Sequence, residues 1–216
     1  MKGLISAKVT NYIKENKGFI LFIALMMVMR SSIADWYHVP TGSMEPTVLP
    51  GDRVFVNKMA YQLEIPFTDI GVMNMRSPAR GDIVIIQSKA AENRLLKRIV
   101  AVEHDRISMQ NNKLVINGKP LMYEKVDGKH YETIDDVKHA VAFKPASQKL
   151  DNFTPVTVPK GYVLVLGDNR NYSADSRVYG FIPVSELQGK VLGLVTSLDK
   201  NNYYLPRDGR HFVPLP

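Results

Sequence analysis

Hydrophobic positions fall into two regimes along the chain. Residues 18–29 (GFILFIALMMVM) are continuously apolar; Arg30-Ser31-Ser32 interrupts the run, and Ile33-Ala34-Asp35-Trp36-Tyr37 continues it weakly. From residue 39 onward apolar residues come in short runs broken by Gly, Pro, Asn and Asp. The first regime predicts a single helix over 18–37. At about 1.5 Å per residue it would span about 30 Å, the thickness of a bilayer's hydrocarbon core. Arg30 would reach back to the headgroups, and Trp36 and Tyr37 suit an interfacial belt. Lysines precede the run, which places residues 1–17 in the cytoplasm and the bulk of the chain outside. A cleavable leader ending at Ser32-Ile33-Ala34 is a competing reading, and a buried core helix a third.

The second regime predicts a mainly β protein. Residues 53–56 follow the Pro50-Gly51-Asp52 turn, and 82–87 (DIVIIQ) follow Arg80-Gly81. Residues 95–102 (LLKRIVAV) are continuously β-compatible, and 162–166 (YVLVL) and 191–195 are further strands. Residues 106–109 and 113–116 flank Asn111-Asn112, with another turn at Asn117-Gly118, a hairpin signature. No second apolar helix is expected; 184–188 is at best a single turn. Residues 123–159 are polar and read as an inserted subdomain with a solvated surface, between core segments 38–122 and 160–200. The tail, 201–216, reads as irregular.

Composition narrows the function. The 216 residues suffice for one or two domains with a real core. With no cysteine, disulfides, a thiol nucleophile and thiolate metal sites are excluded. Of the net charge of +7, residues 1–34 hold +4, leaving a mildly basic globular surface and no phosphate-binding stripe. His130, His139, Asp135 and Asp136 lie in the polar excursion at a spacing that matches no firm metal-ligand pattern.

Three stretches carry candidate chemistry. Ser43 lies in HVPTGSMEPTVL (38–49), directly after the apolar run. A serine in a Gly/Pro-rich turn is most often a turn residue, and a nucleophilic one needs a base. The five histidines offer no evident Ser-His-Asp arrangement. Lys97 is the other candidate base: on a strand it and Arg98 point to opposite faces, so one of them approaches an apolar surface. A desolvated lysine has a lowered pKa and serves as a base near neutrality. The alternative is an edge strand with both side chains in water, and spacing alone favours it. The third stretch, 167–180 (GDNRNYSADSRVYG), is dense in loop-fixing side chains, with Asp175 and Arg177 placed to pair. It lacks the spacing and final glutamate of an EF-hand.

Together these stretches closely resemble the bacterial type I signal peptidases, membrane-anchored Ser/Lys endopeptidases. PTGSMEPT (40–47) is similar to the family's nucleophile box, GDRVFVNK (51–58) to the strand after it, RGDIVII (80–86) with LLKRIVAV (95–102) to the general-base box, and GDNRNYSADSR (167–177) to the last box. The resemblance implies an antiparallel β catalytic core with an inserted smaller domain behind one N-terminal transmembrane helix. It implies Ser43 as nucleophile, Lys97 as general base, Thr41 as a side-chain donor to the oxyanion, and Ser173 as the hydroxyl that orients the base. Asp175, Arg177 and Arg98 match the charged positions that brace the site. Tyr37, Val39, Pro40, Met44, Ile85 and Leu96 are the implied substrate contacts. Asn171 stands where relatives often have aspartate, and Glu103-His104-Asp105 where Pro-Gly-Asp is common.

The implied reaction is removal of signal peptides from exported preproteins after a small residue, at the outer face of a bacterial cytoplasmic membrane. No metal or organic cofactor is implied. Expected partners are preproteins, membrane lipid and the secretion translocon, and no nucleic acid. Apolar residues within 61–67 (YQLEIPF) are expected to form a hairpin resting on the membrane. A self-cleaving regulator built on the same dyad, and a non-catalytic anchored module, are the other classes that fit.

Overall fold

The computed structural model describes residues 12–68, 71–143 and 150–216. Lys2 and Lys8, and residues 144–149 of the polar excursion, lie outside the described residues.

The apolar run begins as a helix, α1 (Lys17–Ser32). It stops before the expected 37. Ile33 leaves it, and residues 34–38 turn to strand β1 (Ala34–His38), which pairs antiparallel with β2 (Asp52–Asn57). The cause is local. Asp35 takes the Arg30 guanidinium at 2.7 Å, Arg30 stacks over Trp36 at 4.4 Å, and the aromatic pair Trp36-Tyr37 suits a pleated surface. The single span over 18–37 is therefore divided between a helix and the core sheet. Sixteen residues give α1 about 24 Å. Among the described residues no helix is long and apolar enough to cross a membrane.

Beyond the nucleophile stretch come β3 (Gln62–Glu64) and β4 (Gly71–Asn74), which pair with each other. Then follow β5 (Ile83–Ser88), β6 (Asn93–Ala101), β7 (Arg106–Gln110), β8 (Lys113–Ile116) and β9 (Lys119–Pro120). The polar excursion opens with β10 (Met122–Val126), β11 (Lys129–Ile134) and β12 (Val137–Val141), a three-stranded meander. It closes with β13 (Phe153–Thr157), which pairs with β7. The chain returns through β14 (Tyr162–Leu166), a short helix α2 (Ser176–Tyr179) and β15 (Ile182–Pro183). The long β16 (Leu187–Asp199) contains the expected strand at 191–195, and β17 (Leu205–Pro206) and β18 (Val213–Pro214) fold back on it. The tail thus contributes two short strands.

The main sheet runs β1-β2-β16-β5-β6-β14-β15. β6 therefore lies in its interior, between β5 and β14, and is not an edge. Leu95 and Ile99 pack with Val84 and Ile86, while Leu96 packs with Ile83 and Ile85. Both faces of β6 are covered, so Lys97 and Arg98 are both buried. The excursion also departs from a purely solvated surface. Glu132 and His139 are fully buried, and Arg170 reaches in to pair with Glu132 at 2.6 Å.

Candidate active site

The nucleophile stretch is a loop closed at its base by backbone bonds. Val39 N–H donates to Asp52 O and Gly51 N–H to Val39 O, each at 2.9 Å. Asp52, fully buried, accepts from Leu49 N–H at 2.8 Å and from Arg210 at 2.6 Å. Within the loop Met44 and Val48 are fully buried in the core, which pins the chain and leaves Ser43 facing a cleft. That cleft, about 550 Å³, runs between β1 with the loop on one side and β5–β6 on the other. Tyr37, Val39, Pro40, Thr41, Ile85 and Leu96 line it with Ser43 and Lys97. Met44 does not; its side chain points into the core beneath.

Lys97 Nζ lies 2.8 Å from Ser43 Oγ and 2.9 Å from Leu96 O. The residue is 3% exposed. Burial among apolar neighbours disfavours the ammonium and lowers its pKa from 10.5 to about 8, against the opposing pull of the Asp175 and Asp168 carboxylates. The pair thus combines hydrogen-bond contact with a base whose neutral form is accessible near neutral pH.

Charged groups fix the surrounding loops. Arg98 grips Asp168 through two bonds of 2.9 Å, both side chains buried, and donates to Gly81 O at 2.7 Å. Asp168 accepts a further bond of 2.6 Å from Thr47 Oγ1, tying the nucleophile loop to the Arg98 pair. Its carboxyl is held below the usual range by Arg98 despite burial. Asp175 caps α2, accepts from Gly167 N–H at 3.0 Å, and takes Arg177 at 2.7 Å. Ser173 is buried, and its Oγ has no hydrogen-bond partner among the described residues, Lys97 included. It lies against Gly167, where an added Cβ would stand 2.3 Å from Ser173 Oγ and 2.4 Å from Ser43 O.

Asp168 and Asn169 stand among the loop-fixing side chains of 167–180, but their partners across the site escape a sequence reading. Thr47 and Asp168 meet from 121 positions apart. The Asn169 N–H donates to Ser43 O at 3.1 Å and its Nδ2 to Gly42 O at 2.9 Å. Gly167 could have been flagged by its place directly after a buried strand, where close backbone approach is common. Among the described residues no group of three or more His, Asp or Glu side chains could hold a metal.

Residues 11–195 match the family described as signal peptidase, peptidase S26. A signal peptidase I of Rickettsia bellii is 31% identical over 204 residues, covering 82% of this chain and 71% of its own. One from Aquifex aeolicus is 30% identical, covering 80% and 79%. One from Pseudomonas aeruginosa is 27% identical, covering 84% and 72%.

Proposed function

The chain belongs to peptidase family S26, the signal peptidases, and we propose that Ser43 is its nucleophile and Lys97 its general base. It is a serine endopeptidase that removes signal peptides from precursor proteins. The observation that carries the residue assignment is the 2.8 Å contact between a buried amine and a serine hydroxyl that faces the cleft.

Neutral Lys97 takes the Ser43 proton as Oγ attacks the scissile carbonyl. The oxyanion is received by the Ser43 N–H and the Thr41 hydroxyl. The Lys97 ammonium then gives its proton to the leaving amine. Lys97, neutral again, activates the water that hydrolyses the acyl-enzyme. Val39, Ile85 and Leu96 offer an apolar wall suited to small side chains before the scissile bond. Ser173 sits against the same loop as a support, and Asp175–Arg177 and Arg98–Asp168 hold that loop in register.

α1 serves as the membrane anchor in this reading, with the catalytic core on the outer face. Phe19, Leu21, Phe22, Leu25 and Met27 are all exposed on it, an apolar helix surface left without cover among the described residues. Ile65, Phe67, Val72 and Met73 around the β3–β4 hairpin extend apolar exposure beside the end of α1 and would rest on lipid. Preproteins reach the site from that surface, delivered by the secretion machinery.

Ser43→Ala and Lys97→Ala should each abolish cleavage of a purified precursor in detergent. Lys97→Arg should also fail, because a guanidinium stays protonated. Appreciable turnover by Lys97→Arg would sink the general-base assignment.

A further inference from the structure

We infer that Asn169 is a positioning residue that aims the oxyanion-binding N–H of Ser43, an inference that rests on the Ser43 assignment proposed above. Asn169 spans the nucleophile. Its own N–H donates to the carbonyl of Ser43 at 3.1 Å, and its side-chain Nδ2 donates to the carbonyl of Gly42 at 2.9 Å. The second bond is the informative one. The Gly42 carbonyl and the Ser43 N–H belong to one planar trans peptide, so they point in opposite directions. Holding the carbonyl fixes the N–H. The carbonyl is turned inward, to Asn169 and to the Glu45 N–H at 3.1 Å. The N–H is therefore turned outward, on the side where Ser43 meets the cleft. Among the described residues it donates to no acceptor, which leaves it free for a developing oxyanion.

The amide orientation is set by chemistry: Gly42 O can only accept, so the NH₂ group of Asn169 must face it. Asn169 is itself rigidly mounted. It is 2% exposed and forms a parallel bridge with Ala142. Ala142 N–H donates to Asp168 O at 2.9 Å, and Arg170 N–H to Ala142 O at 3.0 Å. On either side stand the buried pairs Arg98–Asp168 and Arg170–Glu132. An oxyanion donor is effective only when it needs no reorganisation at the moment of reaction, and this frame supplies that.

The test uses the full chain in detergent, with variants Asn169→Ala and Asn169→Asp beside Ser43→Ala. Both Asn169 variants keep the backbone bond to Ser43 O; the aspartate also keeps the shape and places an acceptor against Gly42 O. We expect kcat on a precursor to fall roughly 10- to 100-fold with KM within about two-fold, short of the 10²–10³ lost when a donor is deleted outright. Affinity for a peptide boronate, whose serine adduct carries a tetrahedral oxyanion mimic, should fall in parallel with kcat. Affinity for the matching uncleavable peptide should not. Asn169→Asp serves where the alanine variant does not fold, and thermal midpoints identify that case. Near-wild-type kcat in both variants, or equal weakening of boronate and peptide, overturns the inference while leaving Ser43 as nucleophile. An active Ser43→Ala protein overturns the nucleophile assignment itself.

Discussion

Lys97 is kept at a cost to the fold, and removing it should stabilise the protein. The perturbation is Lys97→Met in a Ser43→Ala background, so that both proteins are inactive and neither digests itself. In the folded state burial lowers the Lys97 pKa from 10.5 to about 8. At about 1.36 kcal/mol per pH unit, that gap corresponds to about 3 kcal/mol of penalty on the charged form. Below about pH 8 the amine is protonated in both folded and unfolded chains, and the folded protein carries the whole penalty. Between about 8 and 10.5 the unfolded chain binds more protons than the folded one, so parental stability rises with pH. Above 10.5 both states are neutral and the penalty is gone. Methionine fills similar space without charge, and loses the bond to Leu96 O, worth about 1 kcal/mol. The expected net gain is therefore about 2 kcal/mol at pH 7, shrinking towards zero or reversing by pH 10.5. Urea unfolding in mild detergent, followed by the fluorescence of the single tryptophan, Trp36, would measure it at both pH values. A variant less stable than its parent at pH 7, or a difference that stays constant to pH 10.5, would refute the desolvation argument.

Two further outcomes follow from the same site. Below the base's pKa, kcat/KM should rise with pH and level off above about 8; at pH 6 it should lie about 100-fold below the plateau, as initial-rate measurements at low precursor concentration would show. Gly167→Ala should fold yet process precursor poorly, because the new methyl would press on the Ser43 carbonyl and the Ser173 hydroxyl; circular dichroism and a cleavage assay separate the two effects.

The sequence made the strands of the core readable because apolar runs such as YVLVL and DIVIIQ are bounded by turn residues. The three candidate stretches, in order, pointed to the chemistry through their resemblance to the signal peptidases. What it could not give was which side of a question tertiary packing takes. Spacing alone favours an exposed edge for Lys97, whereas β6 lies between β5 and β14. Met44 looked like a cleft residue beside Ser43, but its neighbours in the loop turn it into the core. Trp36 and Tyr37 fit a membrane interface as well as a strand, so local pattern does not mark the end of the helix at Ser32. Glu132 and His139 looked solvated because polar stretches usually are. Their burial depends on Arg170, 38 residues beyond Glu132, arriving from another loop. The burial of Lys97 and of Glu132 with His139 turns on pairings between distant segments, which local pattern does not encode.

The junction between α1 and β1 carries a geometric consequence. Only Ile33 separates them, and the end of the helix is stapled to the core. Arg30 holds Asp35, the Lys58 ammonium donates to the Ser31 carbonyl, and Phe67 N–H donates to Ser31 Oγ at 2.7 Å. β1 then advances about 17 Å towards the nucleophile loop. A slack tether would let the cleft sample many heights above the bilayer; this junction removes the slack. With α1 in the membrane as proposed, the enzyme works as a ruler. It tests where a peptide bond stands above the lipid as well as what flanks it. The number of residues between a leader's apolar core and its cleavage point then becomes a recognition feature in its own right.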